Sequence, residues 1–377
     1  MKKLFLFTGL LLVTVHFSFA QAVEKDTTKE KTSHVPQINL LLRTELQSPL
    51  SSGKQASATL PESRFEVMGK IVPNLEYRIR YRLNGNFNGN SLDNTPGSLD
   101  IAYINYRFGK ENKFTLTAGK QAAFAASWEF DNNPTFEYQY SEHVNAQLTL
   151  FLLAMKLGYQ VNENHAFYIQ VHNTVNNRFA DHLAKNGYVP NGLEGAKYPM
   201  GIYLGWMGAL FNNKLNTFWS YNISQFAKGK TNHSFAFGNK FNLNKFSAYL
   251  DISYTDYGLD HPGIASHAIS DMNGSSSFAE DISYTTAVLR ADYNFLPKWF
   301  LTTKGFYENA VGNRQSFNRK NTGFLIGIEH KPFQSQAMKL FAYYYLNEQK
   351  ARLNSLESKN SFSLFSVGVL YFLNALK

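Results

Sequence analysis

The chain has 377 residues, of which 15% are aromatic and none is cysteine, and its formal net charge is +9. The absence of cysteine excludes a lipoprotein anchor. Beyond residue 20 no apolar stretch is long enough for a transmembrane helix, since the best candidate, 148–157, is short and interrupted by Lys156. A chain of this kind fits a membrane β-barrel, whose backbone hydrogen bonds all join strands, although a soluble β-sandwich could share the composition.

The first twenty residues have the pattern of a cleaved secretory signal peptide. Lys2 and Lys3 provide the positive start, 4–15 is an apolar core too short to span a bilayer, and 18–20 offers a small-x-small cleavage site. Lys2 and Lys3 contribute two units to the formal net charge of +9, which leaves +7 on the mature chain. That excess weakly favours an anionic solute.

Segments with a period of two, which is the spacing of alternating strand faces, recur along the rest of the chain. They follow a polar, aperiodic stretch, 21–36, which we interpret as a flexible periplasmic segment ahead of a barrel over 37–377. The pattern predicts an all-β fold, a transmembrane antiparallel β-barrel of about sixteen strands. The predicted strands are 37–46, 63–72, 75–84, 101–108, 114–120, 148–160, 165–175, 198–211, 214–226, 232–241, 245–257, 282–295, 298–309, 322–331, 338–348 and 361–373.

Short and long connections alternate between these strands, as in hairpins that turn tightly at the periplasmic side and loop freely outside. The short turns, rich in Gly, Pro and Asn, are 73–74, 109–113, 161–164, 212–213, 242–244, 296–297 and 332–337. The long connections are 47–62, 85–100, 121–147, 176–197, 258–281, 310–321 and 349–360. Only 227–231 is short where a long connection is expected, and an even strand count returns both ends to the periplasm.

Aromatic residues flank several of the short turns. Rings at the ends of membrane strands typically form a girdle at the lipid interface, so we expect these to lie on the outer surface. The flanking pairs are Phe108 and Phe114, Phe241 and Phe246, Phe295 and Trp299, and Phe333 and Phe341.

Alternation in the third strand, 75–84, places Arg78, Arg80 and Arg82 on the face opposite Tyr77 and Ile79. An arginine on the lipid face at mid-bilayer costs about 2–4 kcal/mol, so the three should point into a water-filled lumen. The basic residues assigned to the pore wall in this way are Arg64, Lys70, Arg78, Arg80, Arg82, Arg107, Lys120 and Arg290. They either favour the passage of anions or only solvate the wall and pair with neighbouring carboxylates.

Three strand and loop motifs resemble the phosphate-selective porin O and P family. They are DIAYINYRF (100–108), TLTAGKQ (115–121) and SWEFDNNPTFEYQYS (127–141), and VHNTVNNRF, LNTFWSYN, SAYLDISYTD, RADYNFLPKWFLTTKGFYE and GFLIGIEHKPF continue the similarity in order. The resemblance covers nearly the whole mature chain. It implies a sixteen-stranded, trimeric porin of the outer membrane that passes small solutes and, in some members, binds phosphate.

The third external loop, 121–147, departs from a phosphate-binding pattern. The resemblance implies that it folds inward and sets the constriction, yet it contains no lysine or arginine. Its candidate constriction residues are Glu129, Asp131, Glu137 and Glu142. Because a phosphate site needs convergent cationic or amide donors, we expect passive diffusion of small solutes with a modest anion preference and no tight phosphate binding.

Two alternatives stay open, an adhesin or structural barrel with no significant conductance and an outer-membrane hydrolase. A hydrolase needs a nucleophile beside a base, and only Ser141 and His143 lie close together, with no motif around them. His261 and His267 lack metal-ligand spacing. We therefore expect no cofactor, no metal and no nucleic acid, and as partners outer-membrane lipids, small anionic solutes and two further copies of the chain.

Overall fold

The computed structural model describes residues 36–50, 55–85, 87, 93–132, 137–188, 192–274, 276, 278–314, 316–333 and 337–376. The predicted signal peptide, 1–20, and all but the last residue of the predicted periplasmic segment, 21–36, lie outside these residues. Within the described ranges, none of the helices has the length and apolar character needed to cross a membrane.

The chain forms one closed barrel of sixteen antiparallel strands, in which each strand pairs with its sequence neighbours and β1 closes on β16. The prediction of a sixteen-stranded barrel is thereby confirmed. The strands β1 to β16 are Gln37–Pro49, Ser57–Val72, Leu75–Arg82, Leu99–Phe108, Phe114–Ala122, Phe151–Asn162, His165–Asn173, Met200–Leu210, Leu215–Gln225, Thr231–Asn242, Phe246–Leu259, Glu280–Leu296, Trp299–Gly312, Phe317–His330, Met338–Leu353 and Leu356–Leu376.

The predicted short turns all lie at one end of the barrel, where β1 begins and β16 ends. At the other end, the loop end, two predicted long connections are wrong. Instead of 310–321 and 349–360 the structure has the short links 313–316 and 354–355. The hairpins run on past the apolar band, and Lys320 pairs with Lys350 on the exposed face. Polar residues on both faces remove the alternation of hydrophobicity, so the sequence there looks like a loop.

Alternation separates the two faces of the wall. Ile79, Ile104 and Leu289 are exposed outside, whereas Arg80 and Arg290 are buried inside. Most of the turn-flanking rings lie outside as well, and Phe108 stacks on Phe114 with ring centroids 5.4 Å apart.

One member of the predicted girdle is wrong. Phe341 is buried on the inner face, with its ring 4.4 Å from that of Tyr138. It shares that face with Lys339 and Tyr343, because residues two apart in a strand point to the same side.

The connections at the loop end carry short helices, which we number α1 (Trp128–Asp131), α2 (Phe179–Lys185) and α3 (Ile264–Asn273). The described residues also form a 3₁₀ turn, Lys110–Asn112, and a π-helical turn, His143–Gln147. α3 packs Ala265 and Ile269 against the inner face beside Tyr284. The external loops therefore narrow the mouth of the barrel.

Candidate functional site: the constriction of the barrel

The loop between β5 and β6, 123–150, enters the lumen directly after β5, and we call it the constriction loop. It begins with a buried run, 123–126, in which the Phe124 ring lies 4.6 Å from that of Tyr168 and 4.7 Å from that of Phe218. Gly205 on β8 permits this approach, because a Cβ built there would lie 2.0 Å from the Phe124 ring. A residue without a side chain thus lets the loop lie flat on the wall.

Lys304 on β13 holds the acidic centre of the loop. Its ammonium forms an ion pair with Glu129, lies 2.9 Å from Glu137 Oε2 and donates to the Gln139 carbonyl at 2.8 Å. The three charged side chains are at most 3% exposed. Arg290 Nη1 also lies 3.3 Å from Glu137 Oε1, so the loop is bound to the wall around β12 and β13.

Further bonds extend this attachment along the same side. Arg319 binds both carboxylate oxygens of Glu142, at 2.5 and 2.7 Å. Glu308 accepts the backbone N–H groups of Glu142 and His143, at 3.1 and 2.7 Å. Glu129, Glu137 and Glu142 therefore bond the wall of β12–β14, which in a sixteen-stranded barrel lies across the lumen from β4–β6.

A cavity of about 400 Å³ separates the constriction loop from β1–β3. From the loop, Phe130, Asp131 and Tyr140 line it. From the wall its basic lining residues are Arg43, Arg64, Arg78, Arg80, Arg82 and Lys156. Asp131 is thus the one predicted constriction carboxylate that lines this cavity among the residues described.

Most arginines of this sector have a carboxylate partner. Arg78 Nε lies 2.7 Å from Glu66, and Arg64 Nε lies 2.8 Å from Glu62. Asp100 forms ion pairs with two further arginines, at 3.3 Å from Arg82 Nη2 and 3.6 Å from Arg80 Nε. It does so because the register of β3 and β4 shifts here, so that Asp100 is an extra bulged residue whose side chain turns inward.

The remaining predicted wall residues lie elsewhere. Lys70 is exposed near the turn that joins β2 and β3, and Arg107 forms an ion pair with Glu76 at 2.5 Å. Lys120 borders the outer vestibule, where its ammonium binds Asp93 at 2.9 Å. Arg290 belongs to the attachment of the loop and not to the arginine sector.

Among the described residues, five buried cations of the inner face escaped the sequence reasoning: Arg43, Lys156, Lys304, Arg319 and Lys339. The alternation of polar and apolar residues could have assigned Arg43 and Lys156 to the inner face, since their neighbours Leu42 and Leu157 lie on the outer face. Lys304 pairs across the sheet with Arg290, and two adjacent buried cations require anions from another element.

An outer vestibule of about 1050 Å³ lies above the constriction and shares Leu150 and Phe151 with the cavity below. His182 of α2 and His261 line it, and His182 Nε2 lies 2.7 Å from the His261 carbonyl oxygen. Burial lowers the pKa of His261 to about 3 and also lowers that of His182. Both imidazoles are therefore neutral at physiological pH.

The residues of the hydrolase alternative bind different partners. Ser141 Oγ donates to Glu129 at 2.5 Å, whereas His143 Nδ1 lies 2.8 Å from Gln147 Oε1. The described residues contain no group of three or more His, Cys, Asp or Glu side chains placed to hold a metal ion.

Comparison with known proteins gives a family match and a set of similar folds. The profile of the phosphate-selective porin O and P family matches residues 50–372. The fold is similar to the outer membrane channel DcaP of Acinetobacter baumannii, at 11% identity and a TM-score of 0.63 over 92% of this chain and 99% of that chain. It is also similar to the trimer form of OmpT of Vibrio cholerae (12%, 0.56) and to an anion-selective porin from Comamonas acidovorans (10%, 0.55), each over 90% of this chain and 99% of the other. No curated protein is similar enough in sequence to count as a relative.

Proposed function

The chain belongs to the phosphate-selective porin O and P family and is an outer-membrane channel for small solutes, and we propose that it passes anions modestly better than cations and does not bind phosphate tightly. The observation that carries this proposal is the direction of the loop carboxylates. Glu129, Glu137 and Glu142 are bonded to the wall around β12–β14. A solute therefore passes mainly Asp131 on the loop side and a cluster of cations on the other.

The size of the preference follows from the charges around the cavity. Six described cations line it: Arg43, Arg64, Arg78, Arg80, Arg82 and Lys156. Five carboxylates line it or pair with these cations: Glu45, Glu62, Glu66, Asp100 and Asp131. The excess of one positive charge favours anions and supports a modest selectivity.

We further propose that the channel is a homotrimer. OmpT, whose fold is similar, is described in a trimer form, and the family resemblance noted above implies the same state. Chemical cross-linking of the protein in the outer membrane should give a band of trimer size on a denaturing gel. A gel that shows only the monomer after cross-linking would refute this proposal.

Planar-bilayer electrophysiology tests the selectivity. The triple substitution Arg78→Ala, Arg80→Ala, Arg82→Ala leaves three cations against five carboxylates, so the reversal potential in a salt gradient should change from anion preference to cation preference. The double substitution Lys70→Ala, Arg107→Ala removes inward charges outside the cavity and should alter the potential less.

Each other outcome has a definite meaning. An unchanged reversal potential in the triple variant would show that the arginines only solvate the wall. A barrel without steady conductance would favour the adhesin or structural alternative. Block of the chloride current by micromolar phosphate would show that tight phosphate binding had been wrongly excluded.

A further inference from the structure

Lys156 is an inward cation of the constriction cavity without a hydrogen bond or ion pair to any residue that the structure describes. It lies on the inner face of β6 with Leu152 and Ala154, and its side chain is more than nine-tenths buried. Its ammonium lies over the rings of Phe124 and Tyr168, 5.8 and 6.0 Å from their centroids. A cation–π contact leaves the other N–H donors of the ammonium open.

Arg80 is a second cation of the same cavity, and it has a hydrogen-bond donor that no described residue accepts although it forms an ion pair with Asp100. It is 8% exposed, its Nε has no hydrogen-bond partner among the described residues, and its closest carboxylate oxygen, on Asp100, is 3.6 Å away. The guanidinium lies over the Phe151 ring, 5.2 Å from the centroid. Arg78, by contrast, is bonded to Glu66 at 2.7 Å. A buried donor without an acceptor, such as Arg80 Nε, is unusual in proteins, and Lys156 and Arg80 both line a space large enough for a ligand.

Aromatic rings form much of the rest of the lining. Phe124 packs on Tyr168 and Phe218, and Phe130 packs on Phe151 with centroids 5.6 Å apart. All five rings line the cavity. Such rings offer contact to an apolar body and no hydrogen-bond donors to an ion, apart from the Tyr168 hydroxyl.

We propose that the constriction cavity is a binding subsite for an organic anion with one carboxylate on a planar apolar body, of about the size of benzoate. This inference rests on the proposed function and deepens it. A planar carboxylate matches the guanidinium of Arg80 and can accept from Lys156, while the rings take the apolar body. The volume of about 400 Å³ lies in the range of small-molecule sites.

Inorganic phosphate fits this cavity poorly. Its oxygens point in four directions, so binding would require donors on all sides, and the aromatic side of the cavity would remove water without replacing its hydrogen bonds. Asp131, which lines the same cavity, repels every anion but repels a doubly charged one more strongly.

The test measures block of the chloride current by benzoate, acetate and phosphate in planar bilayers. We expect benzoate to block at the lowest concentration. Lys156→Met, which keeps the apolar stem, should weaken benzoate block about tenfold or more, since a hydrogen bond to a charged group contributes about 1.5–3 kcal/mol. Asp131→Asn should strengthen it, which a purely structural role of Lys156 would not predict.

Lys240→Met is the matched control. Lys240 also lies over an aromatic ring of the loop, 5.3 Å from the centroid of Trp128, but its ammonium is bonded to Asn132 at 2.9 Å. Its removal should leave benzoate block within about twofold of the wild type. Each variant must first show that its barrel is folded, by a unitary conductance close to that of the wild type and by the same electrophoretic mobility in unheated samples. Loss of fold is then not mistaken for loss of binding.

The outcomes separate this inference from the proposed function. Equal block by benzoate and acetate, or stronger block by phosphate, would overturn the organic-anion subsite. So would a wild-type channel that prefers anions but is not blocked by benzoate, and that result would leave the proposed selectivity intact. A wild-type channel that prefers cations would instead refute the proposed function.

Discussion

Removal of Lys304 tests whether buried ion pairs hold the constriction loop in place. In Lys304→Met the loop loses an ion pair to Glu129, one to Glu137 and a bond to the Gln139 carbonyl. Glu137 keeps Arg290 at 3.3 Å and the Tyr249 hydroxyl at 2.8 Å. Glu129 keeps only bonds from Ser141, so it becomes a buried carboxylate without a cation among the described residues.

Breaking a buried pair by removing one partner costs about 3–5 kcal/mol. At 1.4 kcal/mol per factor of ten, the equilibrium between the attached and detached loop should shift by about a hundredfold to a few thousandfold. We expect frequent transient current interruptions in single-channel records, where the wild type conducts steadily. The barrel itself should stay folded, because its strand pairing does not involve this lysine's side chain.

The double variant Lys304→Met, Glu129→Gln supplies the decisive comparison. It removes both charges, and neutral replacements of a buried pair are often tolerated, so the record should become steadier than in the single variant. Lys298→Met, which removes an exposed lysine bonded to the Pro332 carbonyl, is the control. A single variant as quiet as the wild type, or a double variant noisier than the single one, would refute this account of the loop.

Two further predictions concern the wall and the mouth. Gly205→Ala should lower the thermal unfolding temperature in detergent, because the new Cβ would lie 2.0 Å from the Phe124 ring. Overpacking of this kind costs roughly 1–3 kcal/mol of stability. Gly305→Ala is the control and should have little effect, because its Cβ would lie 3.8 Å from the nearest atom. Burial lowers the pKa of His261, in the loop that carries α3, to about 3. When the pH falls below about 6.5, His261 therefore binds a proton if this loop is unpacked but not if it is packed. Burial raises the pKa of Asp260 in the same loop to about 6, which offsets part of this effect between about pH 6 and 4. Packing of α3 should therefore be stable above about pH 6.5, weaken as the pH falls through that value and weaken further below about pH 4. Faster amide exchange in Ile264–Asn273 at acidic pH, corrected for the intrinsic rate, would show this.

The strands were predictable because both of their faces are constrained by the environment. In β3 the lipid selects Ile79 on one side and water selects Arg80 on the other, so a period of two identifies the strand and the direction of each side chain. The constraint ends where both faces meet water. That is why the outer ends of β13–β16 looked like loops, although their backbone pairing continues.

The constriction loop has no such constraint. Its composition indicates an acidic passage, but composition does not give the direction of a side chain in an aperiodic segment. The missing information lies about 175 positions away, where Lys304 and Arg290 stand side by side on the inner wall. Only the folded chain shows that the carboxylates of the loop balance these cations.

This arrangement changes what the sequence suggests about selectivity. An arginine-rich wall and an acidic loop look like opposing charges on either side of one passage, yet Glu129 and Glu137 are within bonding distance of their own cations and buried with them. Salt at physiological ionic strength screens charges beyond about 8 Å, and a compensated ion pair has a weak field even at shorter distances. On the proposed function, the solute therefore responds to the residual charge around the constriction cavity, which Lys156 and Asp131 line together with mostly paired arginines. The proposed anion preference thus depends on the small difference in charge between the cations and the carboxylates around the cavity, and not on the number of arginines in β3.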